Sequence, residues 1–114
     1  MLTRTLSIYA AEGTWVVRAE GAVLGESSRA IELVDGDFPP VIYFPREDLG
    51  MPFLEPSETK ALSPEMGEAR YFHIAGPDAL IRDAGWSYEA PSPSVARIAG
   101  HIAFHPGKVT VERV

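Results

Sequence analysis

The densest run of side chains able to do chemistry is Arg46-Glu47-Asp48, three residues beyond Tyr43 and directly after an apolar segment. The planar fork of an arginine clamps a carboxylate or phosphate, and Glu47 or Asp48 would fix its orientation. The same acids offer a general base for an enzyme acting on a small metabolite, provided that their pKa is raised. The competing reading is structural: Arg46 pairs with those acids and anchors the loop, or caps strand-end carbonyls. Trp86 and Tyr88, two apart, share one face of a strand and form either a stacking wall for a ligand or ordinary core. His101 and His105 would stand roughly 13 Å apart along a strand, too far to chelate one ion. His73 is distant in sequence and no acidic third ligand accompanies the pair, so no metal site is assigned.

The rest of the inventory is negative. There is no cysteine, which removes disulfides, thiolate nucleophiles and Cys-bound zinc. Neither the Walker nor the dinucleotide fingerprint is present, and no serine sits in a nucleophile elbow. No cofactor is implied.

The elements that must position these residues read as short strands between turn signals. Thr14–Glu20 is β-branched and aromatic, Gly21 interrupts it, and Ala22–Ser27 looks like its returning partner. Arg29–Val34 is a further strand, with Ile31 and Leu33 on one side and Ala30 and Glu32 on the other. Asp35-Gly36-Asp37 turns the chain. Prolines bracket Val41–Phe44, which suggests a short edge strand. Arg46–Gly50 reads as one helical turn closed by Gly50, and Pro52–Pro64 as an ordered surface connection. Ala69–Ala75 and the segments Leu80–Arg82 and Trp86–Tyr88 fit a hairpin around Gly76-Pro77-Asp78; the rival is a short helix over Asp78–Ala84. The clearest helix is Pro93–Ala99, with Ser92 as N-cap, Gly100 as stop, and an apolar face of Val95, Ile98 and Ala99. Ile102–Phe104 and Val109–Arg113 close the chain. One short helix among closely spaced turns predicts a mainly β architecture.

The chain of 114 residues fits one domain over 1–114, with 46% hydrophobic and 23% charged residues, ordinary for a globular protein. Its net charge of −6 is scattered rather than blocked, and such a surface repels phosphate backbones, so nucleic acid is not an expected partner. The N-terminal segment Met1–Ile8 has no apolar run of signal-peptide length. Nothing approaches the roughly 20 apolar residues of a membrane span. With no cysteine, the chain reads as cytoplasmic.

Several segments resemble one family in order: Gly25–Ala30, Pro40–Asp48, Leu54–Ser57, Trp86–Tyr88 and Ile98–Phe104. On these the chain is identified as a member of the domain of unknown function family 427, the resemblance covering nearly its whole length. The resemblance implies a β-tent-like or barrel-like domain, a shape also seen in methionine sulfoxide reductase B and in the ligand-binding domain of cereblon. One stretch departs. Family members commonly show Cys-Pro-aromatic-Lys-Gly-x-Ala-x-Tyr, and here Ser63 stands at the Cys and Met66 at the Lys. Any family chemistry resting on that thiol or ammonium is lost, because a serine without an adjacent base is a poor nucleophile. The expectation is therefore a non-catalytic binding domain, with Tyr43, Arg46, Glu47, Asp48, Trp86 and Tyr88 as candidate ligand residues. Its ligand would be a small anionic or amide-bearing molecule or a peptide. The alternatives are the small-metabolite enzyme above and a homodimer through the Pro39–Phe44 edge.

Overall fold

Successive side chains of a strand point to opposite faces, so a strand buried on both sides must be apolar at every position. Ile102-Ala103-Phe104 and Val41-Ile42-Tyr43-Phe44 meet that condition, and the fold is assembled around them. The computed structural model describes residues 6–114; Met1–Thr5, part of the segment read for a leader, lie outside the described residues.

Among the described residues there are ten strands: β1 (Leu6–Ala10), β2 (Trp15–Ala19), β3 (Ala22–Ser27), β4 (Ile31–Asp35), β5 (Val41–Tyr43), β6 (Leu54–Ser63), β7 (Gly67–Ala75), β8 (Leu80–Tyr88), β9 (Ile102–Phe104) and β10 (Thr110–Arg113). They form three antiparallel sheets, in the orders β1-β4-β5, β10-β2-β3 and β6-β7-β8-β9. The fold is mainly β, as the turn spacing predicts. Among the described residues no helix is long and apolar enough to cross a membrane.

The four-stranded sheet divides the core in two. Ala69, Tyr71, Trp86, Tyr88 and Ala103 face one cluster, which Ile31, Leu33 and Tyr43 complete from the β1-β4-β5 sheet. Phe72, Ile102 and Phe104 face the other, with Val17 and Leu24 from the β10-β2-β3 sheet. β5 serves both: Val41 and Tyr43 belong to the first cluster, Ile42 and Phe44 to the second. Phe44 also exchanges backbone hydrogen bonds with Ile102, at 2.8 and 2.9 Å, which join the β1-β4-β5 sheet to β9.

Gly25 is required by a close approach. β3 passes so near the segment after β5 that a Cβ here would lie 2.7 Å from the Asp48 carbonyl oxygen and 2.5 Å from Leu49 Cδ2. With only hydrogen at that position, Gly25 and Leu49 form a bridge and the Gly50 N–H reaches the Leu24 carbonyl at 2.8 Å.

Most expected elements are present, including the Ala69–Tyr88 hairpin in place of the rival helix. Four corrections follow. Pro52–Pro64 is not a connection: it holds a 3-10 turn, Met51–Phe53, and the ten-residue β6. Proline is tolerated in β6 because the strand lies at a sheet edge and its register shifts between Pro56 and Lys60. The segment after Ser92 is not an α-helix but two 3-10 turns over Pro93–Ile98, broken at Val95. Ser92 makes no side-chain cap, and Ala99 is exposed, since a three-residue period buries Val95 and Ile98 alone. The Arg46–Asp48 turn is closed by the Leu49 N–H on the Arg46 carbonyl, not by Gly50. With Met51–Phe53, this makes three short 3-10 segments among the described residues rather than one helix. β1 carries no distinctive sequence signal and is recognised only by its pairing with β4.

Phe44 is fully buried at the junction of the sheets. Phe44→Ala is expected to cost about 3–5 kcal/mol in urea unfolding; a loss below about 1 kcal/mol would show that this junction does not hold the sheets together.

Candidate functional site

Alternation along β8 decides which candidate residues can meet. Trp86 and Tyr88 project to one face and Ser87 to the other. The structure places Tyr43 with Trp86 and Tyr88, and sets Arg46 with Ser87 across the sheet.

On the first face, the Trp86 Nε1–H donates to the Tyr43 hydroxyl at 3.2 Å, and the two rings meet edge to face with centroids 6.5 Å apart. Tyr71, the cross-strand partner of Trp86, adds a tilted contact at 6.4 Å. Tyr43 is 2% exposed, so burial pushes its phenol pKa far up, against the smaller opposing effect of the Trp86 bond. Burial raises Tyr88 as well. Tyr43 therefore stays neutral and keeps its proton. Its oxygen accepts from Trp86, and among the described residues its hydrogen has no acceptor.

These rings border two adjoining hollows, of about 500 and 430 Å³, which share Pro39, Val41 and Trp86. Trp15, Pro40 and Phe104 line the first; Tyr43, Met66, Tyr71 and Tyr88 line the second. Together they make one largely apolar groove of the size that takes a small organic molecule. Met66 is buried in its wall, so the residue standing at the family lysine contributes a thioether rather than an ammonium. Ser63, at the family cysteine, accepts the Met66 N–H at 3.3 Å and closes the β6–β7 turn.

Arg46 is held elsewhere. Its Nε–H donates to the Gly100 carbonyl at 2.6 Å, one Nη reaches Ser87 Oγ at 3.2 Å and Glu89, and the guanidinium lies 5.5 Å from the Phe72 ring centroid. Ser87 is fully buried and also donates to Glu89. The anchoring reading of Arg46 fits this geometry, but with partners distant in sequence rather than Glu47 and Asp48. Asp48 instead accepts from Ser27 at 2.6 Å and Arg29 at 3.1 Å, and Glu47 lies 3.9 Å from Arg29. The Ser27 hydrogen bond, followed by that of Arg29, holds the Asp48 pKa below the ordinary carboxylate range. A general base needs the opposite shift.

The histidines are dispersed. His101 Nδ1 meets the Ala99 carbonyl, His105 Nδ1 accepts the Gly107 N–H, and β9 between them spans only 102–104. Among the described residues no group of three metal-ligating side chains occurs. Tyr71 and Met66 enter the groove through strand register and a tight turn; in the sequence Met66 marks only the family lysine position, and Tyr71 only a place in the Ala69–Ala75 strand.

The sequence profile of the family described as Domain of unknown function (DUF427) matches residues 7–114. No curated protein matches the chain.

Arg46→Ala should lower stability by about 1–3 kcal/mol, because it strips the Gly100 carbonyl of its Nε–H donor and removes one of the two donors to Glu89, while leaving the aromatic groove in place. An unchanged urea midpoint would show that these bonds contribute nothing. Asp48 ties stability to pH with a definite sign. A carboxylate depressed by folding stabilises fully above its unfolded value of ~3.9, and that contribution disappears as pH falls through the lower folded value. Melting curves should therefore show an acid loss that Asp48→Asn reduces; an unaltered acid limb in that variant would contradict the assignment.

Proposed function

The chain belongs to the family of this domain of unknown function, and from that membership we propose that it is a non-catalytic binding domain of the cytoplasm. Its ligand is a flat, mainly apolar small molecule or peptide side chain that presents an amide carbonyl to Tyr43. The observation that carries the reading is the Tyr43 hydroxyl, buried beside the groove with a hydrogen still to donate. A buried donor is costly to leave unmet, and a carbonyl supplies the missing acceptor. Trp86, Tyr71 and Tyr88 provide rigid aromatic area around it, which binds at little cost in side-chain entropy.

Less supports the other readings. An anionic ligand clamped by Arg46 would have to break the bonds to Gly100, Ser87 and Glu89. An enzyme using Asp48 as its general base would need a raised pKa, and Asp48 is shifted downward. A homodimer through the Pro39–Phe44 edge would find Phe44 already bridged to Ile102.

Titration with benzamide, the simplest flat amide, followed by tryptophan fluorescence and by NMR, tests the proposal. Saturable quenching is expected, with resonance shifts at Tyr43, Met66 and Trp86. Tyr43→Phe should weaken binding roughly threefold to tenfold, the value of one neutral hydrogen bond. Equal affinity for toluene and benzamide would remove the carbonyl contact, and shifts confined to other surfaces would remove the groove.

A further inference from the structure

Glu32 lies on β4, the central strand of the β1-β4-β5 sheet. Alternation along β4 sends Ile31 and Leu33 into the cluster around Tyr43 and turns Glu32 to the opposite face. Its cross-strand partners are Tyr9 of β1 and Ile42 of β5, neither of them charged. Glu32 is half-buried, and among the described residues its carboxylate has no hydrogen bond and no ion pair. Among the described residues it is also the one charged side chain lining the larger hollow of the aromatic groove, whose other walls include Pro40, Ile42, Trp86 and Phe104.

Trp15 and Glu32 also line a third hollow, of about 470 Å³, where Tyr9, Glu12 and Arg113 join them. The groove therefore continues past Trp15, whose ring is fixed by its Nε1–H on the Glu12 carbonyl at 3.0 Å. Arg113 is the cation best placed to neutralise Glu32, and it does not do so. It lies instead against Gly13, where a Cβ would be 2.6 Å from Arg113 Nε and where φ is 82°, a conformation that suits glycine. Among the described residues Arg113 forms an ion pair with neither Glu12 nor Glu32, although all three line the same hollow. Two carboxylates against one guanidinium leave this end of the groove negative.

A ligand that fills the larger hollow strips water from Glu32. An uncharged apolar occupant leaves that carboxylate desolvated with no donor in exchange, a heavy cost. An anion adds repulsion. A bare metal ion needs several ligating side chains, and among the described residues no group of three occurs. An organic cation meets every condition: its N–H groups replace the lost water, its charge is attracted to the rings of Trp15 and Tyr9, and its apolar body covers the remaining walls. We propose, on the reading of the groove given above, that its ligand is a cationic amide. The flat amide end of this small molecule meets Tyr43. Its ammonium, on an alkyl chain running past Val41 and Trp86, which both hollows of the groove share, donates to Glu32.

The test is NMR titration of the full chain at neutral pH with the aminopropyl amide of benzoic acid and with its uncharged propyl counterpart. Both should give saturable shifts at Tyr43 and Trp86. The amine should bind roughly tenfold tighter, the value of a charge-assisted hydrogen bond, and should shift Trp15 and Glu32 as well. Glu32→Gln keeps the size of a side chain that has no partner to lose, so the fold is retained, and it should bring the two amides to the same affinity. Added salt should weaken the amine alone in the parent protein, a reading that needs no variant. The proposal is overturned if the two amides bind the parent equally, if the advantage of the amine survives Glu32→Gln, or if the amine leaves Trp15 and Glu32 unshifted. In each of those cases saturation of Tyr43 by the propyl amide leaves the groove reading standing. If neither amide saturates Tyr43, the groove reading falls and the cationic ligand with it.

Discussion

Two backbone hydrogen bonds between Phe44 and Ile102 hold the architecture together. Each of the three sheets is small, and a three-stranded sheet buries little by itself. Joining β5 to β9 makes the β1-β4-β5 sheet continuous with the four-stranded one. Alternation along the joined strands then feeds two apolar clusters at once, Ile42 and Phe44 into one, Val41 and Tyr43 into the other. The dependence runs in both directions. The bonds form in a water-free setting because both clusters close over them, and the clusters are aligned because the bonds set the register.

Polar groups near this junction are satisfied inside the chain. Arg46 enters directly after β5 and is fixed by the Gly100 carbonyl, Ser87 and Glu89, tying the segment after β5 to the end of β8 and the turn before β9. Ser27 and Arg29 hold Asp48 in the same segment from the β3–β4 connection. An arginine with several partners is a strong positional constraint, since its fixed fork meets groups from separate elements at once. The residues that most resemble a reactive triplet in the sequence therefore act here as clamps between elements.

Two of the hollows among the described residues are lined by several chemistry-bearing side chains, the aromatic groove and a polar one at Ser57, Thr59, His73 and Asp83. In the aromatic groove the uncommitted group is the hydrogen of Tyr43; in the polar hollow Asp83 is held by Thr59. They differ in how they arise. The groove follows from regular strand pairing, which stacks Tyr71 beside Trp86 and brings Tyr43 over both. The polar hollow follows from failures of regular pairing, where bulges and a left-handed aspartate turn side chains out of the ladder. Met66 adds a difference from the family pattern: with a thioether in place of an ammonium, the groove wall there is apolar, which suits the uncharged end of a ligand.

Local composition by itself determined the strands other than β1 and β6, most turns and the mainly β class, because β-branched alternation and glycine or proline punctuation act over a few residues. It also placed Trp86 and Tyr88 on one face, and the motifs from Gly25 to Phe104 carried the family. It failed where pairing overrides local preference. Pro56 sits in a strand because that strand is an edge with a bulge, and Pro93–Ile98 winds as 3-10 because only a three-residue period sinks Val95 and Ile98 together. Only the tertiary structure separated Arg46 from Tyr43, Trp86 and Tyr88. Three residues apart in sequence, Tyr43 and Arg46 end on opposite faces of one sheet, and which face each reaches depends on long-range register. The polar hollow was likewise invisible, since Ser57, His73 and Asp83 meet only through bulges whose positions are set by the pairing of three strands.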